Sequence, residues 1–379
     1  MASGSRHGQD DGMAAMNELA FYTLAGAPES PRELIDEIAH GEEIGLGSAF
    51  ISERWNIKEA ATLCGAAGAV STRLGLATGV TNHSTRHPLI TASHATTMHR
   101  LTGGRYTLGL GRGVRAMFDA VGLAPITTAQ LEDAAGLLRR LFRGETIVGH
   151  DGPAGSYRLL HLDSAFDEAI PLGLSAFGPR SLALAGRAFD TVVLHTFFTD
   201  ETLQRCVATV REAAEQAGRD PDAVRVWSCL ATVGDHLPED VRLRKLVGRL
   251  ATYLQAYGDL MVETNRWDPA VLERFRVDEL VSSFRGALDA KATTGQLEHV
   301  AELLPDEWLA PAATGSPEQC ARTVLEQLDL GADGVILHGA SPSELAPVVE
   351  AYRDLRPSGR FDDLVSNPGA PREHLRAHA

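Results

Sequence analysis

Residues 101–113, LTGGRYTLGLGRG, give the clearest indication of how the chain folds. Gly103 helps to end an amphipathic helix, and residues 106–110 then form a short apolar run that is typical of a buried strand. Glycines alternate with other residues at the end of that strand, at Gly109, Gly111 and Gly113. A buried strand that runs into a glycine-rich loop is a common place for a ligand in α/β folds. A tight turn with solvated arginines at Arg112 and Arg115 fits the same residues equally well.

Strand-like and helix-like segments alternate on both sides of this stretch. Eight short apolar runs predict strands, and amphipathic segments lie between them. The predicted strands are residues 19–24, 49–52, 74–78, 106–110, 170–175, 191–194, 224–233 and 334–337. Repeated βα units are typical of a (β/α)8 barrel, also called a TIM barrel, and of a doubly wound open sheet. The count of eight strands favours the barrel.

The same pattern divides the chain into three parts. Residues 1–16 are polar and contain Gly and Ser, which predicts a disordered N-terminal segment. Residues 17–356 form a single predicted barrel domain. Within it, residues 236–311 break the βα rhythm, and we expect a helical insertion after strand seven that lies over the mouth of the barrel. Residues 144–167 are predicted to be a loop, and residues 357–379 a loose C-terminal tail.

Composition limits the classes of function. Of the 379 residues, 44% are hydrophobic and 22% are charged, as expected for a large packed core. The formal net charge of −15 argues against a nucleic-acid partner, because phosphate binding needs clustered positive charge. No apolar run is long enough to cross a bilayer, so we expect a cytoplasmic protein without a membrane partner. The four cysteines match no disulfide or zinc spacing, and we expect reduced thiols.

Polar residues follow the second and third predicted strands, at the end of a barrel that carries its chemistry. The second strand ends in Ser52-Glu53-Arg54-Trp55, in which an acid, a base and a large ring could orient a planar cofactor and a substrate. An ion pair covered by the tryptophan explains the same residues without a site. The third strand ends in Thr78-Gly79-Val80-Thr81, and a glycine before a β-branched residue suggests unusual backbone there, such as a bulge or a cis peptide.

The later strands contribute a second set of candidates. Residues 176–180 lie where strand five meets a helix, and Pro179 leaves the first N–H groups of that helix free for an anion. The sixth strand ends in His195 and the eighth in His338, although a histidine in such a place is more often a structural group than a catalyst. The four histidines between residues 83 and 99 lack metal-binding spacing and a carboxylate among them, so we predict no metal site.

Four motifs, in this order along the chain, resemble the luciferase-like family of flavin and deazaflavin oxidoreductases. They are residues 50–55, 77–80 and 103–111, and Gly178-Pro179-Arg180 with Leu184-Ala185-Gly186. The resemblance extends from Leu19 to Leu355. It implies a luciferase-like (β/α)8 barrel with one insertion, FMN or the deazaflavin coenzyme F420 at the C-terminal mouth, and often a homodimer. The Gly-Pro-basic motif with its following Leu-Ala-Gly is more similar to the F420-dependent branch.

The resemblance also implies which residues hold the cofactor. The ring would lie on the turn after strand three, which consists of Thr78, Gly79, Val80 and Thr81, with a non-proline cis peptide between Gly79 and Val80. The phosphate would lie against two loops. The loop after strand four contributes Gly111, Arg112, Gly113 and Val114, and the loop after strand five contributes Ala176, Phe177, Gly178, Pro179 and Arg180.

Two positions depart from the family pattern. Deazaflavin-dependent members often carry Asp-His after strand two, where this chain has Glu53-Arg54. Family members that act on sugar phosphates carry a glutamate where this chain has Val114. We therefore place the predicted catalytic roles on Glu53, Arg54 and His195, with His83 as an alternative acid.

The predicted function is hydride transfer between F420 and a small organic substrate held under the insertion. One alternative is an FMN-dependent monooxygenase that acts with molecular oxygen. A third possibility, from a different class, is a barrel that binds a flavin without turnover, which the altered residues after strand two would suit.

Overall fold

Eleven strands lie within residues 15–55 and 57–372, the part of the chain that the computed structural model describes. They are β1 (Met16–Tyr22), β2 (Leu46–Ile51), β3 (Gly75–Thr78), β4 (Tyr106–Leu110), β5 (Ile147–Gly152), β6 (Gly155–Leu160), β7 (Leu172–Ser175), β8 (Thr191–Val193), β9 (Arg225–Gly234), β10 (Ala312–Gly315) and β11 (Gly334–His338).

Eight of these strands close into a parallel barrel. Their order around the ring is β1, β2, β3, β4, β7, β8, β9 and β11, and β11 pairs again with β1. The pairing of β8 with β9 completes the ring and excludes an open sheet. The predicted luciferase-like (β/α)8 barrel is therefore confirmed. β10 is a short strand that pairs in parallel with the C-terminal end of β9.

Helices surround the barrel and form the insertion. They are α1 (Glu33–Glu43), α2 (Ala60–Val70), α3 (Pro88–Leu101), α4 (Arg115–Ala120), α5 (Thr128–Phe142), α6 (Pro179–Ala188), α7 (Asp200–Gln216), α8 (Glu239–Leu243), α9 (Arg249–Asn265), α10 (Pro269–Val277), α11 (Glu279–Ser283), α12 (Leu288–Lys291), α13 (Thr294–Leu303), α14 (Asp306–Leu309), α15 (Pro317–Asp329) and α16 (Pro342–Leu355). A 3-10 turn at Pro221–Ala223 precedes β9, and a π-helical turn at Arg244–Gly248 joins α8 to α9.

Burial follows the alternation of side chains along each strand. Residues on one face of the strands pack against the surrounding helices, whereas those on the other face fill the barrel. Inside the barrel the rings of Phe50 and Trp227 lie 5.3 Å apart, centroid to centroid. The helices of the insertion have their own apolar core, in which Trp267 stacks on Trp308 at 4.5 Å. The insertion after strand seven is thus helical, as expected.

The loop expected at residues 144–167 is wrong, because β5 and β6 form an antiparallel hairpin there. Only Ile147 at its first position and Leu160 at its last are fully buried. Most of the other side chains of the hairpin are exposed or half-buried, so the apolar alternation that signals a strand is weak.

The C-terminal segment also differs from the loose tail expected after residue 356. Residues 361–370 pack against the N-terminal ends of the barrel strands. Asn367 is buried, and its Nδ2 donates to the carbonyl oxygens of Gly104 and Tyr106 at 2.7 and 3.0 Å. Trp227 Nε1 donates to the carbonyl oxygen of Pro368 at 2.8 Å. The Pro and Gly residues that suggest a loose tail here shape an irregular segment that closes the barrel.

The predicted disordered segment, residues 1–16, lies outside the described residues except for its last two. Of these, Met16 is buried and begins β1.

Replacement of Asn367 by alanine tests the role of the C-terminal segment. Asn367→Ala leaves the carbonyl oxygens of Gly104 and Tyr106 and the hydroxyl of Thr107 without the amide they bond. We expect a loss of about 3 kcal/mol in the free energy of unfolding, measured by urea denaturation. The exposed Ser358→Ala in the same segment is the control, with an expected change within about 0.5 kcal/mol. Equal effects of the two changes would show that Asn367 does not anchor the segment.

Candidate active site

The turn after β3 packs directly against the end of β4. The peptide bond between Gly79 and Val80 is cis, as the resemblance implies. Thr78 Oγ1 donates to the carbonyl oxygen of Gly109 and accepts from its N–H, both at 2.8 Å. A Cβ atom at Gly111 would lie 2.4 Å from Val80 Cγ2, so glycine is required for this approach. The side chain of Thr78 therefore joins the strands, and the backbone of the turn lies at the mouth.

The loops after β4 and β7 meet beside this turn. The point where a Cβ of Gly111 would lie is only 3.8 Å from Ser175 Cβ. Burial, and then the charge of Arg180, lower the pKa of Arg112, so the two guanidinium groups lie within electrostatic range. Arg112 Nη2 donates to the hydroxyl of Thr128, while Arg112 Nε is buried without a hydrogen-bond partner. Two arginines thus converge where the sequence predicts a phosphate.

The first turn of α6 completes this side of the mouth. Gly178 caps the helix without a side-chain hydrogen bond, and Pro179 and Arg180 follow in the exposed first turn. Ala176 is buried, and its N–H donates to a carbonyl oxygen of β8. Phe177 points elsewhere, since its ring centroid lies 4.5 Å from that of His195. Of the predicted phosphate residues, Phe177 is therefore the one that belongs to an aromatic cluster.

The remaining residues of the β4 loop shape its backbone. Gly113 has a φ of 68°, in the left-handed region that favours glycine. Val114 caps α4 without a side-chain hydrogen bond. Phe118 of α4 packs under Gly113 and against the ring of Trp55, at 5.2 Å between centroids, so the loops after β2 and β4 also touch.

Glu53 does not face the cavity at the mouth. Its carboxylate accepts from Thr81 Oγ1 at 2.6 Å and forms an ion pair with Arg86, whose other partner is Glu59. The Glu53 side chain is only 7% exposed. Glu53 therefore stabilises the turn after β3 on the side away from the cavity. Its predicted catalytic role remains a prediction. His83 does not line the cavity either, and burial lowers its pKa.

A cavity of about 170 Å³ opens at the C-terminal ends of the strands. The loop after β1, the loop after β2, the ends of β8 and β11 and the insertion helix α9 surround it. Its lining includes Tyr22, Leu24, Arg54, Lys58, Gly79, Ser175, His195, Cys229, Arg249, Tyr253, Tyr257 and His338. Two of the three predicted catalytic residues, Arg54 and His195, thus share one cavity with the cis turn.

His195 is held between two oxygen atoms. Its Nδ1 lies 3.0 Å from the carbonyl oxygen of Thr196, and its Nε2 lies 3.2 Å from the hydroxyl of Tyr257. Burial lowers the pKa of His195 to about 4, so the ring is neutral at neutral pH. Because a carbonyl oxygen only accepts, the proton is on Nδ1, and Nε2 accepts from the tyrosine O–H.

A second histidine and tyrosine meet on the neighbouring side. His338 Nε2 lies 3.3 Å from the hydroxyl of Tyr253, and the ring of Tyr22 contacts the His338 ring edge-on at 5.4 Å. His338 Nδ1 is buried without a partner. Burial, then the charges of Arg249 and other nearby cations, hold the pKa of His338 well below its usual range. The ring is therefore neutral.

The insertion contributes one polar face to the cavity, and the sequence analysis missed it. Arg249, Tyr253 and Tyr257 line the cavity and are spaced four residues apart, a spacing that puts residues on one side of a helix. Arg249 forms a 2.8 Å ion pair with Asp289 and is 7% exposed, yet its Nε has no partner. The regular spacing of polar and aromatic residues in a buried helix is the signal that could have revealed this face.

The part of the chain that the structure describes contains no cluster of three or more side chains arranged to hold a metal ion. None of its helices combines the length and the apolar character needed to span a membrane. The four cysteines are free and buried.

Comparison with known proteins defines the class of this barrel. Residues 11–355 match the family described as luciferase-like monooxygenase. The chain therefore belongs to the luciferase-like monooxygenase family, which confirms the resemblance.

Individual relatives are oxidoreductases. The 5,10-methylenetetrahydromethanopterin reductase of Methanolobus tindarius is 27% identical over 317 residues, which cover 81% of this chain and 91% of that protein. The F420-dependent tetrahydromethanopterin reductase of Methanopyrus kandleri has a similar structure, with a TM-score of 0.73 at 20% identity over 89% of this chain and 99% of the other. The oxygenating constituent of 3,6-diketocamphane monooxygenase from Pseudomonas putida, in complex with FMN, gives a TM-score of 0.62 at 16% identity, covering 92% and 98%. The predicted oxidoreductase of the luciferase-like family is confirmed.

The low pKa of His195 makes stability depend on pH. In the unfolded chain a histidine takes up its proton near pH 6.5, whereas folded His195 does so only near pH 4. Between these values the unfolded state binds more protons, so stability falls as the pH decreases through this window. His195→Gln should remove about 2–3 kcal/mol of that decrease, measured by urea unfolding from pH 7 to pH 4.

The exposed His40→Gln serves as the control for this experiment and should leave the pH profile unchanged. A profile for His195→Gln that parallels the wild type would contradict a neutral, buried His195.

Proposed function

We propose that this protein transfers a hydride between coenzyme F420 and a small organic substrate at the mouth of the barrel. One observation carries the proposal: Val80 of the cis turn, Gly111 and Ser175, far apart in sequence, pack together at the mouth, next to Arg112 and Arg180. The sequence resemblance and the F420-dependent reductase with the same fold support this choice of cofactor. The less specific conclusion, that the cofactor is of the flavin type, does not depend on the choice between F420 and FMN.

The residues at this place fit a flat, anionic cofactor. Neighbouring side chains fill the places where Gly79 and Gly111 would carry a Cβ, so these glycines let the cis turn pack closely against the strand ends. Gly79 also lines the cavity, where a ring could lie against its backbone. Arg112 Nε is a buried donor without an acceptor, and a phosphate would supply one. The uncapped first turn of α6 and the guanidinium of Arg180 favour the same charge. We assign the ring to residues 78–81 and the phosphate to residues 111–114 and 176–180.

F420 supplies the two-electron chemistry when it is bound, and the protein supplies position and charge. The neutral pair of His195 and Tyr257 faces the cavity. Burial raises the pKa of Tyr257, so its hydroxyl stays protonated. Because its one O–H points to His195 Nε2, the Tyr257 oxygen is left to accept a hydrogen bond from a substrate hydroxyl. Thr196 fixes the tautomer of His195, and therefore the orientation of the tyrosine hydroxyl. Helix α9 of the insertion forms one wall of this place.

Titration of the purified protein with F420 and with FMN tests the proposal. We expect F420 to bind with a Kd below the millimolar range and to exchange a hydride with a substrate. Preference for FMN, together with oxygen consumption, would favour the monooxygenase alternative, which the FMN-bound neighbour with the same fold represents. Binding without any turnover would favour the non-catalytic alternative. Failure of both cofactors to bind would remove the basis of the proposal.

Arg180 provides a quantitative test of the phosphate assignment. Arg180→Ala removes a charged donor from the first turn of α6, so F420 binding should weaken by about 1–3 kcal/mol. Arg187→Ala is the matched control. It lies on the same helix, but its guanidinium pairs with Glu132 on the outer surface at 2.7 and 2.8 Å. An unchanged Kd for Arg180→Ala, or an equal loss in both variants, would reject the assignment.

We also infer a homodimer, as the family resemblance implies. Apolar side chains on α3 support it, because Ile90 is 60% exposed and Leu101 is 52% exposed. Light scattering should give twice the mass of one chain, and Ile90→Glu should lower it. A monomeric wild type would contradict the inference.

A further inference from the structure

Two groups of cations lie at the barrel mouth. The proposed phosphate residues, Arg112 and Arg180, follow β4 and β7. The second group lines the cavity and consists of Arg54 and Lys58, in the loop after β2, and Arg249 of α9. The proposed function does not use this second group.

The cations outnumber the acids on the wall of the cavity. Arg54, Lys58 and Arg249 line it, whereas no aspartate or glutamate is among its described lining residues. The acids near two of these cations lie outside that lining, since Asp289 pairs with Arg249 and Glu37 attracts Lys58. The surface that the cavity presents is therefore cationic, which favours an anion.

Among the described residues of the cavity, Arg249 most clearly lacks a hydrogen-bond acceptor. One of its nitrogens, Nη1, pairs with Asp289 at 2.8 Å. Its Nε is buried and has no hydrogen-bond acceptor, although the side chain is only 7% exposed and lines the cavity. His338 Nδ1, on the adjacent strand end, is likewise buried without a partner. An anionic group that accepts from these donors would satisfy them.

The electrostatic environment agrees with this geometry. Burial, then the charges of Arg54 and Arg249, lower the pKa of Lys58 to about 8, although Glu37 and Glu33 act in the opposite direction. The two arginines therefore repel Lys58. A bound anion would offset that repulsion and restore the pKa of Lys58 toward its usual range.

Resting on the proposed function, we propose that the substrate carries a carboxylate or phosphate group that binds in the cavity at Arg54 and Arg249. The remaining walls suit an unsaturated or aromatic body, because Tyr22, Tyr253 and Tyr257 surround the same space. His195 and Tyr257 line the same cavity, so the reacting part of the bound substrate lies near this pair.

Three probes of similar shape test the charge preference: benzoate, phenyl phosphate and neutral benzamide. Each is titrated calorimetrically into the full-length protein saturated with F420, or with FMN if only FMN binds. We expect benzoate or phenyl phosphate to bind at least about tenfold more tightly than benzamide. Equal affinities of all three would overturn the proposal.

Variants of the cavity arginines identify which residues cause the preference for an anionic probe. Arg54→Gln should reduce the affinity for the preferred anion by roughly tenfold and leave that for benzamide unchanged. Arg249→Gln should do the same, although it also leaves Asp289 without its partner, so Arg54→Gln is the primary test because Arg54 is exposed. Arg274→Gln, at an exposed position of α10, is the control and should change nothing. Equal losses in Arg54→Gln and Arg274→Gln would overturn the assignment.

Cofactor titration of the same variants separates this proposal from the proposed function. Arg54→Gln should keep the wild-type Kd for F420, since Arg54 belongs neither to the turn assigned to the ring nor to the loops assigned to the phosphate. A loss of F420 binding in Arg54→Gln would show that these cations hold the cofactor, and would overturn the substrate assignment alone. A wild-type protein that binds neither cofactor would overturn the proposed function, and the substrate class would fall with it.

Discussion

Gly109 is where β3 and β4 come closest, and the mouth of the barrel depends on that contact. A Cβ atom there would lie 2.0 Å from the carbonyl oxygen of Thr78, so any side chain would force the strands apart. The hydroxyl of Thr78 then exchanges two hydrogen bonds with the Gly109 backbone. This contact holds the cis turn at Gly79 against Gly111. Thr78 at the end of β3, Gly109 in β4 and Gly111 just after β4 thus define the floor of the candidate site.

The loops around this floor are held by charged and polar contacts that do not themselves face the cavity. Glu53 fixes the following turn through Thr81 and Arg86, from the side away from the cavity. At the other end of the barrel, Asn367 and Trp227 bind residues 361–370 to the strand starts. A (β/α)8 barrel separates these tasks, because stability resides at the N-terminal face and chemistry at the C-terminal face. Glu53, one of the positions that depart from the family pattern, therefore stabilises the turn after β3 in this structure.

The sequence predicts the barrel and the place of the cis turn because both have local signals. Apolar runs between glycines mark each strand, and Gly79 before Val80 marks the unusual backbone. The C-terminal segment has no such signal, since Asn367 gains its role only from strands more than 100 residues away. Arg249 is similar, because its cavity position depends on how α9 packs over the strand ends. A spacing of four residues identifies one face of a helix, but it does not show what that face contacts.

The polar face of α9 is difficult to explain by stability. Replacement of a buried ion pair such as Arg249 and Asp289 by apolar residues is often neutral or stabilising, because desolvation offsets the attraction. An arginine Nε without an acceptor adds a further cost. The insertion already has an apolar core around Trp267 and Trp308, so it does not need this face to fold. A helix that keeps a cation and two tyrosines over a cavity, at a cost in stability, is best explained by a ligand that the cavity binds.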